Sequence, residues 1–256
     1  MTVGIFTNKA KDPALSYTAE IRRFLTGQGI HVAEGSPANT TDVAFWVVLG
    51  GDGTMLRCSH LAAAHGIPLL GINLGTLGFL SDGEMQDGLD SLAKVLKGEY
   101  ETEKRLMLDI CHGDMKNLAL NDVFIGATGR LKTFDLYVNS HLLDTLRADG
   151  IIVATPTGST AYSLSAGGPL LMPGGQMMVV TPVCPHSLST RPLVVGAEDR
   201  VRIVTHQACP ITVDGEKVGD TAAGGGVSIR KSTHTAAIIK TTEAHLYDVL
   251  RKKKLL

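Results

Sequence analysis

The stretch Val43-Ala44-Phe45-Trp46-Val47-Val48-Leu49-Gly50-Gly51-Asp52-Gly53-Thr54 decides how the chain is read. Its apolar run, with no alternation, is the pattern of a strand covered on both faces of a parallel sheet. Three glycines then bare the backbone around one acid, and Thr54 to Ala64 reads as a helix. That order puts the turn at the carboxyl edge of a sheet, where ligands of such folds bind. Upstream, Val3 to Phe6 reads as a strand, and Asp12-Pro13 supplies an N-cap and first-turn proline for a helix with Ile21, Phe24 and Leu25 on one face. Downstream, Pro68 to Ile72 is a strand, Asn73 to Ser81 a glycine-rich loop, and a helix runs from about Glu84 to Leu96. The series is βαβ and implies a right-handed parallel sheet.

Beyond Lys97-Gly98-Glu99 the texture changes. Met107 to Cys111, Ala119 to Ile125, Phe134 to Val138 and Ile151 to Ala154 are short strand-like runs between turn residues. The rhythm continues at Met178 to Thr181, Val201 to Val204, Ile211 to Val213, Val227 to Ile229 and Ala236 to Ile239. The expected architecture is therefore an N-terminal Rossmann-like parallel α/β domain over 1–98, followed by a mainly β domain over 99–240. The tail, about 241–256, would pack back on the first domain.

A chain of 256 residues sits at the size where one core begins to divide into two. With 24 basic and 25 acidic residues the net charge is -1, so no strong field favours nucleic acid or a membrane surface. The basic tail Arg251 to Lys254 lacks aromatics and reads as a solvated helix end. No apolar run approaches the ~18 residues of a membrane span, and the N-terminus lacks a signal-peptide pattern, so a cytoplasmic protein is expected. Cys58, Cys111, Cys184 and Cys209 are too irregularly spaced for a disulfide framework or paired zinc ligands, and are expected to pack as small apolar residues.

The glycines of the 50–54 loop let backbone N–H groups approach a phosphate, and the helix behind adds its dipole. An anion cradle has no use for a carboxylate. Asp52 therefore suggests a base for a hydroxyl or a contact to a metal-bound phosphate, unless it or Thr54 merely caps the turn. Neither the Rossmann fingerprint nor the Walker pattern fits. The loop Asn73-Leu74-Gly75-Thr76-Leu77-Gly78-Phe79-Leu80 leaves the sheet at the same edge, or is a connection with buried Leu77 and Phe79. Asn121-Asp122 offers an amide and a carboxylate side by side, or forms an Asx turn. Richest is Thr155-Pro156-Thr157-Gly158-Ser159-Thr160-Ala161-Tyr162-Ser163-Leu164-Ser165, whose crowded hydroxyls suit a sugar or nucleobase. They would equally cap a helix starting near Thr160. Ser159 is no hydrolase nucleophile, for it lacks the G-x-S-x-G elbow.

Taken together, GGDGT at 50–54, LGTLGFL at 74–80, ND at 121–122, RADG at 147–150, TPTGSTAYSLSAGGP at 155–169 and TPVCPHSLSTRPLV at 181–194 resemble the NAD kinase family in order and spacing. GGDGT alone is shared with lipid kinases and, in related form, with phosphofructokinases; the 155–169 block is far more restrictive. The resemblance implies phosphoryl transfer from ATP or polyphosphate to the 2′-hydroxyl of the adenosine ribose of NAD, giving NADP. It implies Asp52 as proton acceptor with Gly53 beside the ribose, and a phosphate-donor loop of Gly50, Gly51, Gly53 and Thr54 with Arg57. Asn121, Asp122, Lys132, Arg147, Asp149, Thr160, Ala161, Tyr162 and Ser165 would bind NAD, with His186 and Lys132 secondary. Many relatives carry Glu where Asp122 stands, which keeps the charge and shortens the reach. The resemblance also implies a homodimer or homotetramer whose site is completed by a neighbouring subunit, and, from the chain's length, no terminal regulatory extension.

No lysine lies within the GGDGT or GTLGFL loops, and Arg57 is the nearest cation along the chain. The expectation is that backbone N–H groups and Mg²⁺ carried by the donor neutralise the phosphates, with no fixed protein site for the metal. A lipid kinase of the GGDGT type and a noncatalytic NAD or NADP sensor are the rival readings.

Overall fold

A computed structural model of the chain describes residues 1–38, 42–75, 78–241 and 246–252. The chain forms two compact units, 1–104 with 235–256, and 105–234.

The first unit is a parallel sheet with helices. Its strands are β1 (Thr2–Thr7), β2 (His31–Glu34), β3 (Trp46–Gly50), β4 (Leu69–Asn73) and the short β5 (Gly83–Glu84). They pair in the order β2-β1-β3-β4-β5, every pair parallel. The end of the long strand Gly226–Lys240 adds to the far side, Ile238 pairing with Leu69. Trp46 to Leu49 are fully buried, as the unbroken apolar run requires of a central parallel strand. Helices α1 (Ser16–Gly27), α2 (Asp52–Ala63) and α3 (Gly88–Lys97) connect the strands. Ile21, Leu25 and Leu92 join Val3, Val47, Leu49 and Ile72 in one core. Residues 240–241 are bound in this unit: Lys240 Nζ donates to the Ser81 carbonyl at 2.8 Å, and the Thr241 N–H to Asp82 at 2.8 Å.

Two helix starts differ from expectation. Asp12-Pro13 does not open α1; Leu15, in the left-handed conformation at φ 51°, precedes Ser16. Asp12 nonetheless acts as the cap from a distance, its carboxylate accepting the Thr18 N–H at 3.0 Å and the Thr18 hydroxyl at 2.8 Å. Residues 13–15 are thus inserted between the capping acid and the helix it caps. The helix expected from Glu84 begins with a tight turn over Met85–Asp87 and becomes α-helical at Gly88.

The second unit is antiparallel. Strands β6 (Glu101–His112) and β7 (Met115–Ala119) form a hairpin, followed by β8 (Asp122–Gly126), β9 (Lys132–Val138), β10 (His141–Ala148) and β11 (Gly150–Ala154). After the one-turn helix α4 (Tyr162–Ser165) come β12 (Met177–Val183), β13 (Leu193–Gly196), β14 (Val201–Thr205), β15 (Cys209–Val213), β16 (Glu216–Thr221) and β17 (Gly226–Lys240). One sheet has the order β13-β12-β11-β8-β15-β16, and the other runs β10-β9-β14-β17. Leu108, Val123, Ile125, Phe134, Ile151, Ile203 and Val227 meet in a single core drawn from both sheets.

The run expected as one strand over Ala119 to Ile125 is two, broken at Leu120-Asn121. The runs at Val227 and Ala236 are one strand, which continues through the polar stretch Arg230 to Thr235 with Ser232 buried within it. Cys58 and Cys209 are buried as expected, but Cys184 is exposed. It sits at a left-handed corner, φ 47°, just after β12. Leu77 and Lys253-Lys254 lie outside the described residues, while Phe79 is half-buried and Arg251 and Lys252 are exposed.

Candidate active site

Asp52 is the first residue of α2, and the position before it is Gly51, with no side-chain cap. Neither Asp52 nor Thr54 caps the turn. The Asp52 carboxylate instead leaves the helix axis and accepts the backbone N–H of Phe79 at 2.9 Å and of Leu80 at 3.1 Å, one on each oxygen. The second glycine-rich loop is therefore built around this acid. A Cβ on Gly78 would collide with the Asp52 carboxylate, so glycine is the side chain that lets the two loops close. Each carboxylate oxygen keeps a lone-pair direction for one more donor. Thr54 is held from the other side, its hydroxyl accepting Asn8 Nδ2 at 3.1 Å.

The loop faces a cavity of ≈ 850 Å³, lined among others by Asn8, Lys9, Lys11, Gly51, Gly53 and Arg57. That volume is in the range of small-molecule sites. Arg57 points its guanidinium over the Phe6 ring, 5.1 Å from the centroid. In space Arg57 is not the cation nearest the loop. The Lys11 ammonium lies 2.7 Å from the point a Gly51 Cβ would occupy. It was missed in the sequence because it comes from the β1–α1 connection, far upstream, and carries no motif.

In the second unit, Asn121 and Asp122 stand at the corner that splits β7 from β8. The corner is made by an acid outside any quoted motif, Asp214. Its carboxylate accepts three consecutive backbone N–H groups, Leu120 at 2.7 Å and Asn121 and Asp122 each at 2.8 Å, while its own N–H donates to the Asp122 carbonyl at 2.9 Å. Asp214-Gly215 is the β15–β16 turn, with φ 48° and 87°, the left-handed pair that a tight hairpin needs. Neither residue was singled out from the sequence, and nothing in a D-G pair shows where the aspartate side chain will reach. Asp122 is buried, and burial first, then the Asp214 charge, raises its carboxyl from 3.8 to about 7.

The hydroxyl-rich segment packs against the same corner. The Thr155 N–H donates to the Asn121 carbonyl at 2.8 Å, and its hydroxyl to the Leu120 carbonyl at 2.5 Å. A Cβ on Gly158 would run into the Asn121 backbone. The hydroxyls then divide. Ser159 donates to the Pro156 carbonyl at 2.7 Å and accepts the Leu171 N–H at 2.9 Å, and Ser163 pairs with Thr181 at 2.9 Å; both are fully buried. Tyr162 and Ser165 are exposed, and Thr160 and Ala161 half-buried. Tyr162 meets the Phe124 ring edge-on, centroids 5.3 Å apart. The helix expected near Thr160 is α4, which starts at Tyr162 after a tight turn over Gly158–Thr160 and has no side-chain cap.

Arg147, Asp149 and Lys132 stand elsewhere. Gly150 pairs with Gly126 and Ala154 with Asp122, so Asp149 lies at the opposite end of the β8–β11 ladder from Asp122. Five residues of strand make that separation roughly 17 Å. Asp149 accepts the Gly129 N–H at 2.7 Å, and Lys132 Nζ is engaged with the Ala208 carbonyl at 2.8 Å. His186 is exposed, its N–H donating to the Arg147 carbonyl at 2.8 Å. The NAD-binding residues inferred from resemblance thus form two groups within the unit.

The family described as ATP-NAD kinase N-terminal domain matches residues 33–100, and ATP-NAD kinase C-terminal domain matches residues 120–241. The NAD kinase of Caldanaerobacter subterraneus subsp. tengcongensis is 38% identical over 276 aligned positions, covering 98% of each protein. That of Thermoanaerobacter sp. is 42% identical over 219 positions, covering 82% of this chain and 77% of the relative. The chain belongs to the NAD kinase family. The fold of an NAD kinase from Archaeoglobus fulgidus, solved in complex with ATP, superposes with a TM-score of 0.85 at 26% identity over the full length of both chains. Yeast NADH kinase, solved with NADH, shares the fold at a TM-score of 0.86 and 24% identity, covering 98% of this chain and 86% of that one. In this NAD kinase, then, the Rossmann-like unit carries GGDGT and the β-rich unit carries the 155–169 block. The rival readings, lipid kinase and noncatalytic sensor, gain no support from these relatives.

Proposed function

We propose that the enzyme transfers the terminal phosphoryl group of ATP to the 2′-hydroxyl of the adenosine ribose of NAD, with Asp52 receiving the hydroxyl proton. One observation supports this above the rest: the Asp52 carboxylate is held by the Phe79 and Leu80 N–H groups on the wall of the cavity that the GGDGT turn lines. A fixed acid beside exposed main chain suits a reaction in which alignment and charge neutralisation do most of the catalysis.

The first unit receives the donor and the second the acceptor in this reading. Gly51 and Gly53 offer the donor phosphates main-chain N–H groups at the α2 N-terminus, Gly50 ends the strand beneath them, the Thr54 N–H is taken by the Gly51 carbonyl at 2.9 Å, and Arg57 stands one turn further on. Asn121, Asp122, Thr160, Ala161, Tyr162 and Ser165 hold one part of NAD. Lys132, Arg147 and Asp149 approach another part from the far end of the ladder. Among the described residues no cluster of three or more His, Cys, Asp or Glu side chains stands ready to hold a metal. A single carboxylate beside the donor loop fits Mg²⁺ that arrives on the phosphates and keeps its waters, and Asp52 would be the residue to hold it. When bound, the ion neutralises charge on the transferring phosphoryl group.

Leu142 and Leu143 are exposed at 55% and 54% on β10, an edge strand. An apolar edge is a pairing surface, which supports a homodimer or homotetramer with the Arg147 group serving a neighbouring site. Free thiols at all four cysteines support a cytoplasmic location.

The test is NADP formation by purified protein from NAD, ATP and magnesium. NADP at a rate that requires all three is expected, with loss of turnover on chelation. ATP consumption without NADP, or phosphate appearing on diacylglycerol instead, would sink the reading.

A further inference from the structure

The GGDGT loop contains no cation, yet the tertiary structure supplies one. We infer that Lys11 is the side chain that grips the donor's phosphates above Gly50 to Gly53, an inference that rests on the phosphotransfer reading above.

Its position is built. The Asn8 N–H donates to the Leu49 carbonyl at 2.9 Å, the Asn8 side-chain oxygen accepts the Ala10 N–H at 3.1 Å, and the Lys11 N–H closes on the Asn8 carbonyl at 2.9 Å. Asn8 Nδ2 ties the same turn to Thr54. The connection is thereby fastened to the strand and the helix that flank the glycine loop. From it the Lys11 ammonium occupies the space that a side chain at Gly51 would fill, 2.7 Å from its Cβ position, and lies in contact range of Gly75, 3.5 Å from its Cβ position. It bridges the two glycine-rich loops that leave the same sheet edge.

Its charge is also available. The acids around it are engaged: Asp12 by Thr18, Asp52 by Phe79 and Leu80, and Glu34 by Arg22. Lys11 itself is exposed in the cavity. A flexible ammonium over bare main-chain N–H groups matches a polyphosphate, which needs point charge from one side and directional donors from the other. It would hold the donor's terminal phosphates, while Arg57, committed to the Phe6 ring, borders the same cavity.

The experiment compares wild type with Lys11→Met and Lys11→Arg in two measurements. One is steady-state NADP formation, with KM taken separately for ATP and NAD. The other is equilibrium binding of inorganic tripolyphosphate to the free enzyme. Lys11→Met should raise the KM for ATP and weaken tripolyphosphate binding by roughly tenfold or more, the scale of one charge-assisted contact. The KM for NAD should stay within about twofold, and Lys11→Arg should recover most of the loss. Unchanged values for ATP and tripolyphosphate in Lys11→Met, or equal losses for ATP and NAD, would overturn the assignment. If wild type makes no NADP, the functional reading fails instead, and tripolyphosphate binding still decides whether Lys11 holds phosphate.

Discussion

Asp214 Oδ1 accepts the backbone N–H of Asp122 at 2.8 Å, so the acid of a hairpin turn fixes the main chain from which the buried Asp122 carboxyl projects. With Leu120 and Asn121 also bound, a truncated side chain would leave three N–H groups to find water. Asp214→Ala is expected to lower unfolding stability by about 2 kcal/mol or more and to raise the KM for NAD while sparing that for ATP. Urea denaturation and steady-state kinetics check this. A variant as stable as wild type, with unaltered NAD kinetics, would show that the corner holds itself.

The same pair sets a pH dependence. Burial and then the Asp214 charge raise the Asp122 carboxyl from 3.8 to about 7. The folded state therefore binds the proton more tightly than the unfolded chain does. This contribution to stability is complete below pH 3.8 and is lost as the pH rises through about 7. Asp122→Asn removes that loss. Its stability advantage over wild type should grow between pH 5 and 8, on the order of 1 kcal/mol per pH unit while the two states differ in protonation. Thermal melts across that range decide it, and a constant or shrinking difference would contradict the assignment.

Asp52 joins two tasks in the proposed reaction, since its carboxylate organises residues 79–80 and it lines the cavity proposed for the donor. Asp52→Asn keeps the size but turns an NH₂ group toward one of two N–H donors. Turnover should fall by ~10² to 10⁴-fold, the value of general-base assistance, with the KM for NAD changed only a few-fold. Amide hydrogen exchange at Phe79 and Leu80 separates the roles, because a loosened loop exchanges faster whatever the chemistry. Near-normal turnover with fast exchange would make Asp52 a structural acid.

The parallel half of the fold was legible because burial on both faces writes itself as an unbroken apolar run, here Trp46 to Leu49 within the apolar stretch from Val43, and glycines punctuate the sheet edge. The antiparallel half was legible in part. Its strands alternate, so β17 looked like two runs because Arg230 to Thr235 is polar throughout, and β7 and β8 looked like one because Asp214, almost a hundred residues away, makes the corner between them. Asp52 and the hydroxyl segment announce themselves by type and order. Lys11 and Asp214 do not, since each acts through a long-range contact with main chain, and a peptide N–H or a glycine carries no mark in the sequence of what approaches it.

The hydroxyl-rich segment yields a test that sequence alone would not frame, because burial assigns its members opposite duties. Ser159 is fully buried, donating to Pro156 and accepting from Leu171, so it closes the loop on itself. Ser165 is exposed on α4 beside Tyr162. Ser159→Ala should cost stability, about 1 to 3 kcal/mol for a buried N–H left without its acceptor, and affect kinetics only through that loss. Ser165→Ala should leave the melting temperature within a degree or so, the ordinary behaviour of an exposed substitution, and raise the KM for NAD by a few-fold. Measured together, the two variants separate scaffold from recognition. Equal stability losses at both positions, or an NAD effect confined to Ser159→Ala, would mean that burial does not distinguish the hydroxyls that build the loop from those that read the substrate.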